Sequence, residues 1–252
     1  MKKTLRFIAA FWISLMCLGA AFAFFQKDQL EVHSLEHVLH PGYDAFGRNC
    51  ILLLFSAAAQ SIKIMLPVGA LCLALALILS SFALFKNERI QFTLRASLDT
   101  LSSLPGFLIA LAIGVLFSKG AFTFWIGSLL LVVPSMTRYF ESLILKLREE
   151  DYIHASEALG ARPFHLWVHH YRPELLRLLA AILPFLIMRL ILIETSLSFL
   201  GLGAAPEHET WGRLLYQGKD YLLEAPWIML ITAAPLCLTL LSFHLLSDQD
   251  PH

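Results

Sequence analysis

An all-α integral membrane protein is the fold class this sequence predicts, and three observations predict it. Of its 252 residues, 58% are hydrophobic and 15% are charged, whereas a soluble domain carries roughly 45–50% apolar and about 25% charged residues. Mean hydropathy is +0.68. Finally, six stretches are apolar over about 20 residues, the helical length that crosses a hydrocarbon core of about 30 Å. Backbone groups in lipid must be satisfied within the segment, so these stretches are expected to be helices. The composition excludes a soluble enzyme, a disordered tail and a secreted disulfide scaffold. Lysine plus arginine equals aspartate plus glutamate at 19 each, so no bulk field draws the chain to nucleic acid.

The first stretch, residues 7–26, follows Lys2, Lys3 and Arg6. Its Ala21-Phe22-Ala23 ending also fits a cleavable signal peptide, but the apolar run reaches Phe25, which favours a retained helix. The others are 64–85, 100–118, 120–137, 178–199 and 225–247. Only 178–199 is interrupted by charge, at Arg189 and Glu194. With the N-terminus placed inside, twelve lysines and arginines between Lys2 and Arg177 fall in inside segments. Five (Lys27, Arg48, Lys119, Arg213 and Lys219) fall outside, and Lys63 sits at a boundary. That asymmetry predicts cytoplasmic termini. Residues 1–61 then form a first helix and an extracytoplasmic segment, 62–248 a five-helix core, and 249–252 a short tail. Cys17, Cys50, Cys72 and Cys237 form no CxxC pair, and no disulfide is expected.

The longest polar inside segment, at about 146–177, reads as an elbow. Residues 152–159 predict a short helix with Ile153, Ser156, Ala158 and Leu159 available for contacts. Gly160 can end it in the left-handed conformation. Arg162 precedes Pro163, which can open a second helix over 164–171. That helix is expected to stop before Pro173.

HASEALGARPFHLWVHHYRP (154–173) resembles the cytoplasmic EAA loop of ABC-importer permeases, with Ala155, Gly160 and Pro173 at motif positions. His154 stands in place of the motif's glutamate, Ser156 in place of its second alanine, and Arg172 in place of a leucine. HPGYDAFGRN (40–49) resembles a segment of the dipeptide/oligopeptide/nickel permease family: His40, Pro41, Asp44, Gly47 and Arg48 match, and Asn49 replaces an aspartate. Asp99, Pro105 and Gly106 fit that family's third-helix pattern. Glu194 with LSFLGLG (197–203), Trp211-Gly212 and DYLLEAPW (220–227) match its C-terminal signature. The resemblance runs from His40 to Asp248 and is greatest to the C-type subunits.

The resemblance implies a type I ABC-importer transmembrane domain of six helices in a bacterial inner membrane, moving short peptides inward by alternating access. Its implied partners are a homologous B-type permease subunit, two ABC ATPase subunits, an extracytoplasmic solute-binding protein and the lipid bilayer. ATP and Mg would bind the ATPase subunits and no cofactor this chain. GRLLYQGKD (212–220) is not a phosphate loop: five residues separate its glycines, and Asp220 replaces the Ser/Thr that would hold Mg²⁺. In the implied coupling loop, His154, Ala155, Ser156, Leu159, Gly160, Ala161 and Pro173 meet the ATPase. Asp99, Arg189 and Glu194 either line the translocation path or clamp helices together, because charge at bilayer depth must face protein, water or a partner. Gly201, Gly203, Trp211 and Gly212 are expected in an outer loop contacting the binding protein or the partner permease. His33, His37 and His40 outside and His165, His169 and His170 inside invite a metal reading, but no metal site is expected. The alternatives are a nickel or other small-solute permease, a subunit with relaxed coupling, and an intramembrane enzyme, for which neither HExxH nor GxSxG occurs.

Overall fold

The computed structural model describes residues 2–25, 42–44, 46–82, 88–103, 106–116, 120–203 and 209–247. The chain is a helical bundle: α1 Lys2–Phe25, α2 Cys50–Ser81, α3 Glu88–Ser103, α4 Gly106–Leu116, α5 Ala121–Arg148, α6 Asp151–Ala158, α7 Pro163–Leu166, α8 Arg172–Phe199, α9 Trp211–Gly218 and α10 Pro226–Ser247. A π turn, Trp167–Tyr171, joins α7 to α8, and a 3₁₀ turn, Lys219–Tyr221, follows α9. The only extended pairing among the described residues is an isolated antiparallel bridge between Tyr43 and Asn49.

Among the described residues five helices are long and apolar enough to cross a bilayer, and a sixth span results if α3 and α4 count together. That pair corrects the expected helix at 100–118. The path bends by 81° between the two pieces, and α4 has 11 residues, about 17 Å of rise against a core of about 30 Å. Of the family-pattern residues there, Gly106 opens α4, whereas Pro105 lies outside the described residues. The polar α3 is tied to the elbow-side half of α5 by two ion pairs, Arg95 with Glu141 (2.6 Å) and Arg138 with Asp99.

The second span also differs from expectation. It starts at Cys50 rather than at Ile64, so the boundary drawn at 61–62 falls inside a continuous helix. A charge-free search stops at Lys63, but the physical start signal lies at Asn49. The Asn49 side chain accepts hydrogen bonds from the Ile51 and Leu52 amides (2.9 and 3.3 Å), which satisfies two donors at the helix start.

α2 and α5 pair along their length, with α8 against both. Val68, Cys72 and Ala76 recur at four-residue spacing on the buried face of α2, as one stripe of a helix must. Across from them α5 buries Phe124, Met136, Phe140 and Ile144. Small residues let backbones approach: Gly127 of α5 faces Ala110 of α4, as expected where lipid supplies no hydrophobic drive between helices. On α1, Phe7, Ile8, Phe11, Leu18 and Phe22 point outward.

α8 runs from the elbow to the opposite end, where Leu202 approaches Gly120 at the start of α5. Gly19 of α1 faces Phe55 near the start of α2, and Trp12 donates to Thr239 in the second half of α10 (3.1 Å). The beginning of α1 and the end of α10 therefore both lie on the elbow side.

Replacing Asn49 with alanine is expected to lower stability by about 1 kcal/mol, measured by chemical unfolding in detergent. Asn49→Asp, which keeps the accepting oxygen, should remain near the parent.

Candidate functional site

The elbow is built by local rules. α6 is pinned by Ile153, which is fully buried. Gly160 then adopts φ +85. Its amide bonds the Glu157 carbonyl (2.9 Å) and the Ala161 amide reaches back to the Ser156 carbonyl (3.0 Å). This pair of bonds is a Schellman stop, and only glycine meets its backbone without strain. α7 starts at Pro163 as the sequence predicts.

The second elbow helix does not stop before Pro173, which corrects that expectation. The Arg172 amide bonds the Trp167 carbonyl, five residues back, and the wider turn carries the chain past the missing proline amide. The helical path therefore continues from Phe164 to Phe199, 36 residues. Leu166, Tyr171 and Leu175 are buried along it.

Seen from outside, the elbow presents His154, Ala155, Leu159, Gly160, Arg162 and Phe164, all exposed. Leu159 is 89% exposed and Phe164 77%, which leaves apolar side chains at the tip of a polar turn. Ser156 is half-buried and donates to the Tyr152 carbonyl (2.8 Å). Ser156 and Ala161 border an open hollow of about 450 Å³ beside Gly160. Pro173 is exposed on the first turn of α8. His165 and His169 stack with ring centroids 4.1 Å apart. Among the described residues no group of three or more His, Cys, Asp or Glu is placed to hold a metal ion; His33, His37 and His40 lie outside them.

Asp99, Arg189 and Glu194 separate into two environments. Glu194 is 2% exposed and accepts from Ser198 (2.8 Å) and from Thr210. Thr210 also caps α9 by accepting from the Arg213 amide (3.4 Å). Glu194 thus joins the far end of α8 to the start of α9. Arg189 and Asp99 face the other way. Arg189 donates to Ser135 of α5 (2.6 Å) and borders a half-open cavity of about 550 Å³ between α3, α5 and α8. Asp99, exposed, pairs with Arg138 at its edge.

The outer-contact expectation is corrected for Gly203, Trp211 and Gly212, which are buried against the chain's own helices. Trp211, 4% exposed, donates from its indole to the Leu54 carbonyl (3.2 Å). A Cβ on Gly203 would lie 1.9 Å from Ser198 Oγ, and one on Gly212 would lie 2.6 Å from both Ser198 Cβ and the Thr195 carbonyl. Gly201, at φ +74, closes α8 by the same bonding as Gly160: its amide meets the Ser198 carbonyl and the Leu202 amide meets the Leu197 carbonyl. An amphipathic α9 folded inward, with Leu214 and Leu215 buried, is what removes these residues from the surface. Tyr216, Leu222 and Leu223 are exposed there instead.

A second layer rests on α9 and was not read as a site from sequence. Asp44 is buried and accepts from the Phe46 and Arg48 amides (2.9 and 2.7 Å), ordering the turn in which Gly47 takes φ +74. Arg48 pairs with Asp44 (2.7 Å) and Glu209 (3.0 Å) and donates to Gln217 (3.3 Å). Burial by itself lowers the Arg48 pKa, but the Glu209 hydrogen bond and the Asp44 charge outweigh it and raise the value. The Asp-x-x-Gly-Arg spacing was visible; its partners Glu209, just before α9, and Gln217 on α9, 161 and 169 residues away, were not.

Gly212→Ala is expected to unseat α9 and cost about 1–3 kcal/mol, in the range of an overpacked core. Glu194→Gln, which keeps an acceptor, should cost less than Glu194→Ala, which strands two hydroxyls at about 1–3 kcal/mol each. Chemical unfolding of each variant in detergent checks the order.

The comparisons with known proteins fit this architecture. Residues 51–250 match the model of the binding-protein-dependent transport system inner membrane component. A transport system permease protein of Brucella suis is 32% identical over 214 residues, 85% of this chain and 71% of the relative. The oligopeptide transport system permease protein of Bacillus subtilis is 27% identical over 207 residues, 82% of this chain and 68% of its own. The glutathione transport system permease protein of Pectobacterium atrosepticum is 27% identical over 247 residues, 95% of this chain and 79% of its own. With the match covering the helices from α2 to α10, the chain belongs to the family of binding-protein-dependent transport system inner membrane components.

Proposed function

We propose that this chain is one transmembrane permease subunit of an ATP-driven ABC importer that moves short peptides inward by alternating access. The observation that carries the reading is the elbow: a short helix, exposed and apolar at its tip, fixed by a glycine stop to a 36-residue rod. Two transmembrane elements, α5 and α8, flank it. A rigid-body push on α6 can therefore be passed into both, which a loop without internal order could not do. Leu159 and Phe164 supply apolar contact to an ATPase groove, with His154, Ala155, Ser156, Gly160, Ala161 and Pro173 around them. His154 in place of an acid removes one charged contact and leaves docking to shape and apolar area.

ATP hydrolysis and its Mg²⁺ belong to two separate ATPase subunits, and a homologous permease completes the path. The elbow side is cytoplasmic in this reading, which places both helix termini there. Tyr216, Leu222 and Leu223 at the opposite end then form the surface for an extracytoplasmic binding protein. Peptides are the favoured cargo because relatives across 82–95% of this chain are named for oligopeptide, dipeptide and glutathione transport.

Co-purification tests the assembly: tagged chain should bring down an ATPase and a second permease. Gly160→Ala forces an L-residue into the left-handed region at about 1–2 kcal/mol, with no atom of the described residues in the way of its Cβ. The folded chain should survive, while peptide uptake per ATP hydrolysed falls several-fold in proteoliposomes containing the whole complex. Unchanged coupling would count against the elbow's role.

A further inference from the structure

We propose that Arg189 is a carboxylate-binding station inside the membrane path, taking the C-terminal carboxylate of a peptide in transit. The inference rests on the peptide-import reading above. Arg189 lies ten residues before the end of α8 at Phe199, about 15 Å along the axis, which is half the thickness of a hydrocarbon core of about 30 Å. A guanidinium at that depth is costly unless something negative or polar answers it.

Among the described residues nothing negative does. Its hydrogen bond is to Ser135 Oγ (2.6 Å), and among the described residues no carboxylate lies within ion-pair distance of it. Glu194, five residues further along the same helix, is turned away and engaged by Ser198 and Thr210. One guanidinium with spare N–H donors is left at the wall of the cavity of about 550 Å³. That is within the roughly 300–1,000 Å³ of ordinary ligand sites.

The rest of the wall selects for an anion. Its polar groups are the hydroxyls of Ser102, Ser135, Tyr139 and Ser142 and the guanidinium of Arg138; among the described residues no acid lines it. Arg138 is held by Asp99, so among the described residues of this wall Arg189 is the cation without a counter-charge. A planar guanidinium with flanking hydroxyl donors suits a carboxylate, which it can bind through two parallel hydrogen bonds. Every unmodified peptide carries one at a fixed end, whatever its side chains. The cavity is half open, so water screens the contact and keeps it weak enough for release, as conduction through a multi-site path requires.

The test uses the complete transporter in proteoliposomes, with the binding protein preloaded with trialanine or its C-terminal amide and uptake compared at equal loading. The wild-type complex should move the free acid faster than the amide. Arg189→Gln should lower free-acid uptake about tenfold, the equivalent of about 1.4 kcal/mol, and leave amide uptake within about twofold. Arg189→Lys, keeping charge without the fork, should fall between. ATPase stimulation by the loaded binding protein should be retained in both variants. Uptake indifferent to the carboxylate in the wild-type complex overturns the proposal, as do equal losses for both peptides in Arg189→Gln. Failure of Arg189→Gln to assemble with the second permease would assign the residue to a subunit interface and also overturn it. If the wild-type complex moves neither peptide, the import reading falls with it; uptake blind to the carboxylate sinks this inference alone.

Discussion

One buried carboxylate organises the end of the bundle opposite the elbow. Glu194 is almost without solvent, and an ionisable group so placed needs donors in fixed positions. Ser198 supplies one from the same helix, and Thr210 supplies the other only when the chain after α8 folds back over it. α9 must therefore return inward, and the close approach this demands explains why Gly203 and Gly212 have no room for a side chain. Trp211 then lies over α2 with its indole N–H on the Leu54 carbonyl. Arg48, paired with Asp44 and with Glu209 just before α9 and donating to Gln217 on it, locks the entry to α2 onto the same short helix.

Both ends of the long rod through α8 are bounded by the same device. A glycine in the left-handed region precedes it at Gly160 and another follows it at Gly201, each with paired amide bonds to the last turn of a helix. Between them the π turn at Trp167–Tyr171 lets the helix pass Pro173 without breaking. The result is a stiff element with defined bends at its limits. That geometry favours rigid-body displacement over local bending under load.

The elbow was the most legible part of the sequence, because its signals are local. Gly160 and Pro163 act on their own backbone, and both sit where their chemistry places them. Pro173 misled for the opposite reason: a proline is compatible with a helix when the preceding turn widens, and that choice depends on what Tyr171 and Leu175 bury. The start of α2 was hidden by Lys63, since hydropathy reports membrane depth rather than helix continuity. The bend between α3 and α4 escaped because apolar content alone does not reveal an 81° change in direction. Asp99, Arg189 and Glu194 were recognisable as expensive charges, but whether each clamps helices or faces a cavity depends on side-chain direction.

Hydropathy, residue spacing and the turn chemistry of glycine, proline and asparagine determined by themselves that this is a multi-pass helical protein with a rigid polar elbow. Each of those signals acts over a few residues or through the one-dimensional match between helix length and bilayer thickness. Only the tertiary structure decided that Trp211 is an internal anchor, that Arg48 reaches Glu209 161 residues away, and that Arg189 and Glu194 point into different environments. Such pairings arise from the rotation and approach of packed helices, which sequence distance does not encode.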